Sequence, residues 1–195
     1  MHGFLRALIL AIFLPSLCLC QSKDNYIVDH QKIIQQDFES SFGEGWQFNW
    51  NVNNTPHRII GKSISQNFDG SDPYLSEIAA REFISSNQTL FILSAADMEL
   101  WVNEQHGNLR YLIFNQVYSG IPVWNGRIDF RYRLNGDLVL IGHDAFPNLN
   151  VNTNPGVSMD QAIFYSKIHV DFDENLNDEV IGDPELFIWV EGGKE

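Results

Sequence analysis

Near residue 98 the chain changes its hydrophobic period from that of a helix to that of a strand. Before this point Leu75, Ile78, Ala79 and Phe83 fall at i, i+3, i+4 and i+8, one face of an α-helix. Asp72-Pro73 supplies its start: Asp72 can accept the first free amides, and Pro73 suits the first helical position, whose N–H needs no partner. The helix is expected to end near Ser86-Asn87. After residue 98 the period is two. Met98 to Val102 reads as a strand, Gly107-Asn108 as a turn, and Leu109 to Tyr118, apolar on both faces, as a central strand. Ser119-Gly120 makes a second turn. Ile128, Phe130, Tyr132 and Leu134 then alternate with Arg127, Asp129, Arg131 and Arg133, so one face is buried and the other charged. Ile128, Phe130 and Tyr132 are expected inside and Arg131 exposed. Asn135-Gly136 is a two-residue hairpin signal, and Asp137 to Ile141 is the return strand. The fold class that follows is α+β: one helix against a curved, four-stranded antiparallel meander.

The flanks are less regular. Residues 21–54 form a polar lead-in, in which Trp46, Phe48 and Trp50 alternate as a short strand. Residues 149–157 are a polar linker. Ser158-Met159-Asp160-Gln161 then fits a capping box, in which Ser158 and Gln161 satisfy each other's amides, and predicts a helix to about His169. An acidic loop, Asp171 to Asp183, leads to a strand over Leu186 to Val190. One helix and one strand cannot bury their apolar faces alone, so residues 158–195 make a partial second α+β unit. No period of 20–50 residues runs through the chain, which excludes solenoids and propellers.

Residues 1–20 have the order of a secretory leader: Arg6, an apolar run from Ala7 to Leu14, a Pro15-Ser16 break, then Cys18 and Cys20. Cleavage is expected between Cys20 and Gln21, which places the product outside the cell and off the membrane. Two other readings are a retained anchor, for which the run is short, and lipidation of Cys20, for which the usual small residues just before it are missing. Cleavage removes both cysteines, and with them thiol chemistry and Cys-ligated zinc.

Composition narrows the classes further. Of the 195 residues 44% are hydrophobic, 13% aromatic and 19% charged, a balance that supports a packed core and not a disordered chain. The formal charge is −13, or −14 once Arg6 leaves with the leader, and this repels phosphate backbones, so nucleic acid is not an expected partner.

No motif of catalysis or cofactor binding is present: no H-E-x-x-H, G-x-S-x-G, P-loop or G-x-G-x-x-G. No catalytic, cofactor-binding or metal-ligating residue is therefore assigned. His143-Asp144 has the makings of an oriented base, and His169 with Asp171 those of a metal clip. The alternative for each is a satisfied or surface histidine. Asp171, Asp173 and Asn175 match the first three ligands of a calcium loop, but Leu176 stands where the turn needs glycine and Gly182 where a bidentate glutamate is needed. The loop is either a weak calcium binder or a solvated linker. Charge is uneven: from Asp137 to Glu195 there are 12 acidic residues and two lysines. Against this, Arg127, Arg131 and Arg133 share one strand face, either a docking face for an acidic partner or acidic unit, or a solvated surface. Asn53-Asn54-Thr55 and Asn87-Gln88-Thr89 are glycosylation sequons.

An ordered series of segments carries a family resemblance. Thr55-Pro56-His57-Arg58-Ile59-Ile60-Gly61-Lys62 resembles the opening of the fungalysin/thermolysin propeptide (FTP) domain. Glu77 to Ile84 resembles its A-x-x-F-[IL] helix, and Leu90 to Asp97 its L-F-x-L-s-x-x-D continuation. Phe114-Asn115-Gln116-Val117-Tyr118-Ser119-Gly120-Ile121-Pro122-Val123-Trp124 resembles its F-x-Q-x-Y-x-G-[IV]-P-V strand pair. Asn135 to Val139 resembles its N-G-x-[VL]-V hairpin. Val157 to Ala162, with Pro184 to Trp189 beyond, resembles the helix and a strand of a PepSY unit. The resemblance covers about residues 55–190, with 55–148 as the FTP-like domain. It implies a cystatin-like fold and a non-catalytic propeptide that assists and inhibits a downstream zinc metallopeptidase domain in cis. Zinc, and in some cases calcium, would belong to that absent domain. A stand-alone secreted binding module or inhibitor acting in trans is the alternative.

Overall fold

The computed structural model describes residues 23–170, 172, 173, 175, 178–182 and 184–191; the expected cleavage point at Cys20 and Gln21 lies outside them. The elements in order are α1 (Lys23–Phe42), β1 (Gln47–Trp50), β2 (Pro56–Ser65), α2 (Pro73–Ser86), α3 (Gln88–Phe91), a 3₁₀ turn (Ala95–Asp97), β3 (Met98–His106), β4 (Leu109–Tyr118), β5 (Ile121–Arg133), β6 (Asp137–His143) and α4 (Met159–Ile168). The class is α+β, as expected, with a six-stranded antiparallel sheet in the order β1-β2-β6-β5-β4-β3. Each strand pair carries a register irregularity, and such bulges curl a sheet.

The four-stranded expectation is corrected at one edge. β3 to β6 form the meander, but β2 adds beside β6 and β1 beside β2. The lead-in holds the expected short strand as β1 and a helix besides. Residues 23–42 are helical, and Ile34, Phe38 and Phe42, at i, i+4 and i+8, lay one stripe on the core. Gly43, at φ 82°, ends this helix by donating its N–H to the Glu39 carbonyl at 2.8 Å, a left-handed cap that favours glycine.

One face of the sheet is buried under the helices. Ile59, Leu112, Phe114, Ile128, Phe130, Tyr132, Leu138 and Ile141 point into it and are fully buried. The expected register of β5 is therefore correct. α2 begins where expected, with the Asp72 carboxylate accepting Tyr74 N–H at 2.8 Å and Leu75 N–H at 3.1 Å. Its buried face is rotated from the expected one: Ser76, Ala80, Phe83 and Ile84 meet the core, whereas Leu75 is exposed. Small side chains let the helix approach the sheet closely, and Ser76 Oγ remains satisfied by donating to the Asp72 carbonyl at 2.7 Å. The β5–β6 connection is a three-residue loop, Leu134 to Gly136, and not a two-residue turn; Gly136 takes φ 82° and lies against the Phe68 carbonyl, where no Cβ fits.

Gln116 locks the meander to the chain beyond it. Buried on β4, it donates Nε2 to the Phe146 carbonyl and accepts Phe146 N–H at Oε1, both at 2.8 Å. Arg110, also buried, donates to the carbonyls of Gly70 and Ser71 and to Asn103 Oδ1, and so ties the loop before α2 to the sheet.

The C-terminal stretch differs. Ser158 and Gln161 form the expected capping box, yet no residue of α4 is buried. The expected strand over Leu186–Val190 is a single parallel bridge, Ile188 to Val123, with Ile188 exchanging two backbone hydrogen bonds with Pro122 and Trp124. Val123, Phe146 and Ile188 form a small separate apolar cluster. Among the described residues no helix is long and apolar enough to cross a membrane.

Candidate functional site

Across the sheet from the helices lies a face that none of the described helices covers. Strand register decides what meets there. Arg58 on β2 and Asp129 on β5 both pair with Gly142 of β6, which lies between them. Gly142 has no side chain to separate the two: a Cβ there would collide with the Asp129 carboxylate and the Arg58 guanidinium. Arg58 Nη2 therefore reaches Asp129 Oδ2 at 3.7 Å across an intervening strand. Arg131 Nη1 meets Asp129 Oδ1 at 3.1 Å and its guanidinium lies 4.2 Å from the centre of the Tyr111 ring.

Asp144, just past β6, is the second centre. Its Oδ1 accepts His57 Nδ1–H at 2.7 Å, and its Oδ2 lies 3.4 Å from Arg58 Nη1 and 3.6 Å from Arg127 Nε. Asn51 Nδ2 lies 3.4 Å from Oδ1 and donates to the His143 carbonyl at 2.7 Å. Asp144 is only 3% exposed, while the side chains of His57 and Arg127 are 43% and 44% exposed. Buried carboxylates need cations to be tolerated. Here two of them hold three guanidiniums and an imidazole at the protein surface.

The arginine triplet expected from sequence is thus partly gathered. Arg127 and Arg131 join the cluster, whereas Arg133 sits at the rim, 3.9 Å from Asp137. The expected exposure of Arg131 is corrected: packed on Tyr111 and paired with Asp129, it is half-buried. No local motif marks His57 and Arg58 as site residues. Their only sequence signal was a place in the resemblance, because the contact with β5 depends on which strand lies between.

His143 does not act with Asp144 as an oriented base. It is fully buried, donates Nε2–H to the Phe91 carbonyl at 3.0 Å and accepts Ala145 N–H at Nδ1, 3.2 Å away. Burial lowers its pKa from 6.5 to about 4, so it is a neutral core histidine at neutral pH. The acid partner expected for His169, Asp171, lies outside the described residues. In the acidic loop Asp173 Oδ1 accepts both the backbone and side-chain N–H of Asn175 at 2.8 Å, so it is turned onto its own loop. Asp171 and Leu176 of that calcium-loop match lie outside the described residues. Among those residues no three His, Cys, Asp or Glu side chains gather as metal ligands.

The His57–Asp144 pair has the geometry of an oriented base, but a base needs something to act on. Thr55, the hydroxyl nearest in sequence, is buried and donates Oγ1–H to Asn53 Oδ1 at 2.6 Å. The arrangement is a set of surface-facing cations tethered to two buried carboxylates. An apolar groove of about 350 Å³ between the end of α1 and α2, lined by Phe42, Phe68, Leu75, Ile78 and Phe83, lacks any such convergent set of charges.

No protein-family model matches the chain, and no curated protein matches it. Among solved structures the chain is similar to the C-terminal domain of YpeB from Bacillus megaterium, at 13% identity over 70% of this chain and 72% of that one, with a TM-score of 0.42.

Proposed function

We propose that the chain is a non-catalytic propeptide module of a secreted zinc metallopeptidase precursor, assisting the folding of a catalytic domain and restraining it until cleavage. The observation that carries this reading is the uncovered sheet face, with two buried aspartates fixing three arginines and no activated nucleophile beside His57. Such a face suits a contact surface. The ordered FTP-like and PepSY-like motifs supply the kind of partner. The physical logic is effective concentration: a tethered inhibitor sits at roughly millimolar concentration and loses that advantage once the link is cut. By binding the folded enzyme and not the unfolded chain, it also stabilises the enzyme. Zinc would belong to the peptidase.

The bare apolar surface of α4 and the Trp124–Phe187–Trp189 edge favours this fused arrangement over a stand-alone module, because an isolated secreted domain exposes such surface at the risk of aggregation. The test is to follow the reading frame past residue 195 and to express the region encoded there with and without this chain. An H-E-x-x-H motif, and a folded yield that depends on this chain, are expected. A stop codon, or equal yield in both cases, would overturn the propeptide reading in favour of a module acting in trans.

A further inference from the structure

We infer that the cleft between the start of α4 and residues 184–186 is a docking site for a basic, apolar segment of a polypeptide partner, one arginine or lysine side chain of which lies in the cleft. That this partner is a peptidase rests on the module reading above; the chemistry of the cleft does not.

Burial is the first argument. With 3.6 residues per turn, Met159, Ala162 and Ile163 share one side of α4, and Phe164 and Ile168 lie on the opposite side. A helix that is apolar all round belongs inside a structure, yet Met159, Phe164, Tyr165 and Ile168 are exposed. On the first side there is already a cavity of about 210 Å³, whose lining includes Val157, Met159, Ala162, Pro184, Glu185 and Leu186. Contiguous apolar surface rimmed by polar groups marks an interaction site.

Charge is the second argument, and it selects the occupant. Between residues 149 and 191 the described residues hold Asp160, Asp173, Asp178, Glu179, Glu185 and Glu191 against Lys167, with His169 as the other titratable base. Asp173 and Asp178 accept amides of their own loop. Lys167 lies over the Phe172 ring, 4.3 Å from its centre. The carboxylates of Asp160, Glu179, Glu185 and Glu191 take part in no ion pair or hydrogen bond among the described residues. Of the cleft's described lining only Glu185 is charged. Arginine and lysine match such a cleft: the aliphatic stem lies along apolar walls while the cationic head stays at the surface, within reach of a carboxylate. The local surplus has the sign of the whole chain, whose formal charge is −13, so long-range attraction also favours a basic partner. A second copy would bring the same acids to the contact, and like charges facing each other oppose it.

The probe is a blocked pentapeptide, Leu-Arg-Leu-Arg-Leu, titrated into the purified chain at physiological ionic strength. Binding is read by calorimetry and by the Met159 methyl resonance in NMR, with the buried Met98 methyl as internal control. Saturable binding that moves the Met159 signal and leaves that of Met98 in place is expected. Ala162→Phe, which fills the cleft, should weaken it about tenfold, the loss of one buried apolar anchor. Glu185→Gln should weaken it about threefold, as loss of an exposed charge pair does. Glu104→Gln, on β3, should leave it unchanged. All three residues are exposed, so the variants are expected to fold. Absence of saturable binding at millimolar peptide would overturn the inference. So would equal affinity for Leu-Glu-Leu-Glu-Leu, which would mean apolar contact without charge selection, or for a pentapeptide of arginines, which would mean diffuse attraction. Self-association that moves the Met159 signal without peptide would make a second copy the occupant and overturn it as well. Peptide binding without inhibition of a peptidase would keep the cleft and remove the propeptide reading; inhibition untouched by Ala162→Phe, with no peptide bound, would do the reverse.

Discussion

α2 and α4 begin with the same kind of chemistry and end in opposite surroundings. At α2 the Asp72 carboxylate accepts two amides of the first turn; at α4 Ser158 and Gln161 satisfy each other's amides. Both helices start where their caps indicate. α2 then lays Ser76, Ala80, Phe83 and Ile84 on a sheet, whereas α4 leaves Met159, Phe164, Tyr165 and Ile168 exposed. The contrast separates two contributions that sequence patterns merge. A cap decides where a helix begins, at about 1 kcal/mol. Burial of an apolar face decides whether the element contributes to the stability of the fold. α2 has both, and α4 has the first alone.

The largest test of this contrast compares two phenylalanines. Phe130, fully buried among Phe83, Phe91 and Phe114, should cost about 3–5 kcal/mol on change to alanine. Phe164→Ala, on bare α4, should cost within about 0.5 kcal/mol. Urea unfolding of both variants measures the difference; equal losses would show α4 to be packed.

Acid should act on the sheet unit through His143. Its pKa in the folded state is lowered from 6.5 to about 4 by burial, so between these values the unfolded chain binds a proton that the folded chain refuses. Stability from this group is fully present above about pH 6.5 and is lost as pH falls toward 4, by up to about 3 kcal/mol. Urea midpoints at pH 7 and pH 4.5, compared with those of His143→Gln, check the sign. If wild type and variant lose stability in parallel, the effect lies in other groups.

Gln116→Leu should cost about 2 kcal/mol, because it removes two buried hydrogen bonds to the Phe146 backbone. Amide exchange at Phe146 should rise with it. The smallest effect is expected at Ser158→Ala: helical content of α4 should fall while the global unfolding midpoint stays within error, because α4 adds no burial to the core.

What the sequence made legible follows the same division. The limits of β4, the Asp72-Pro73 start and the Ser158 box were readable because each depends on residues a few positions apart. α1 is not legible in the pattern, because Ile34, Phe38 and Phe42 are separated by Gln, Asp, Glu and Ser, which mask a stripe only one residue wide. The rotation of α2 was hidden because Ser76 and Ala80 gain their burial from close approach, not from hydrophobicity. Half of the candidate site was visible, as the arginines of β5. The other half, His57 and Arg58, depended on β6 lying between β2 and β5 and on Gly142 leaving the gap, both of which are long-range facts.

The central claim is that the uncovered sheet face binds and restrains a metallopeptidase. The most direct measurement titrates the purified chain, wild type and Arg127→Gln, into the peptidase proposed to follow it in the reading frame, at physiological ionic strength. Saturable inhibition by the wild type, weakened about tenfold in the variant, is expected. Full peptidase activity in the presence of a large excess of the wild-type chain would contradict it.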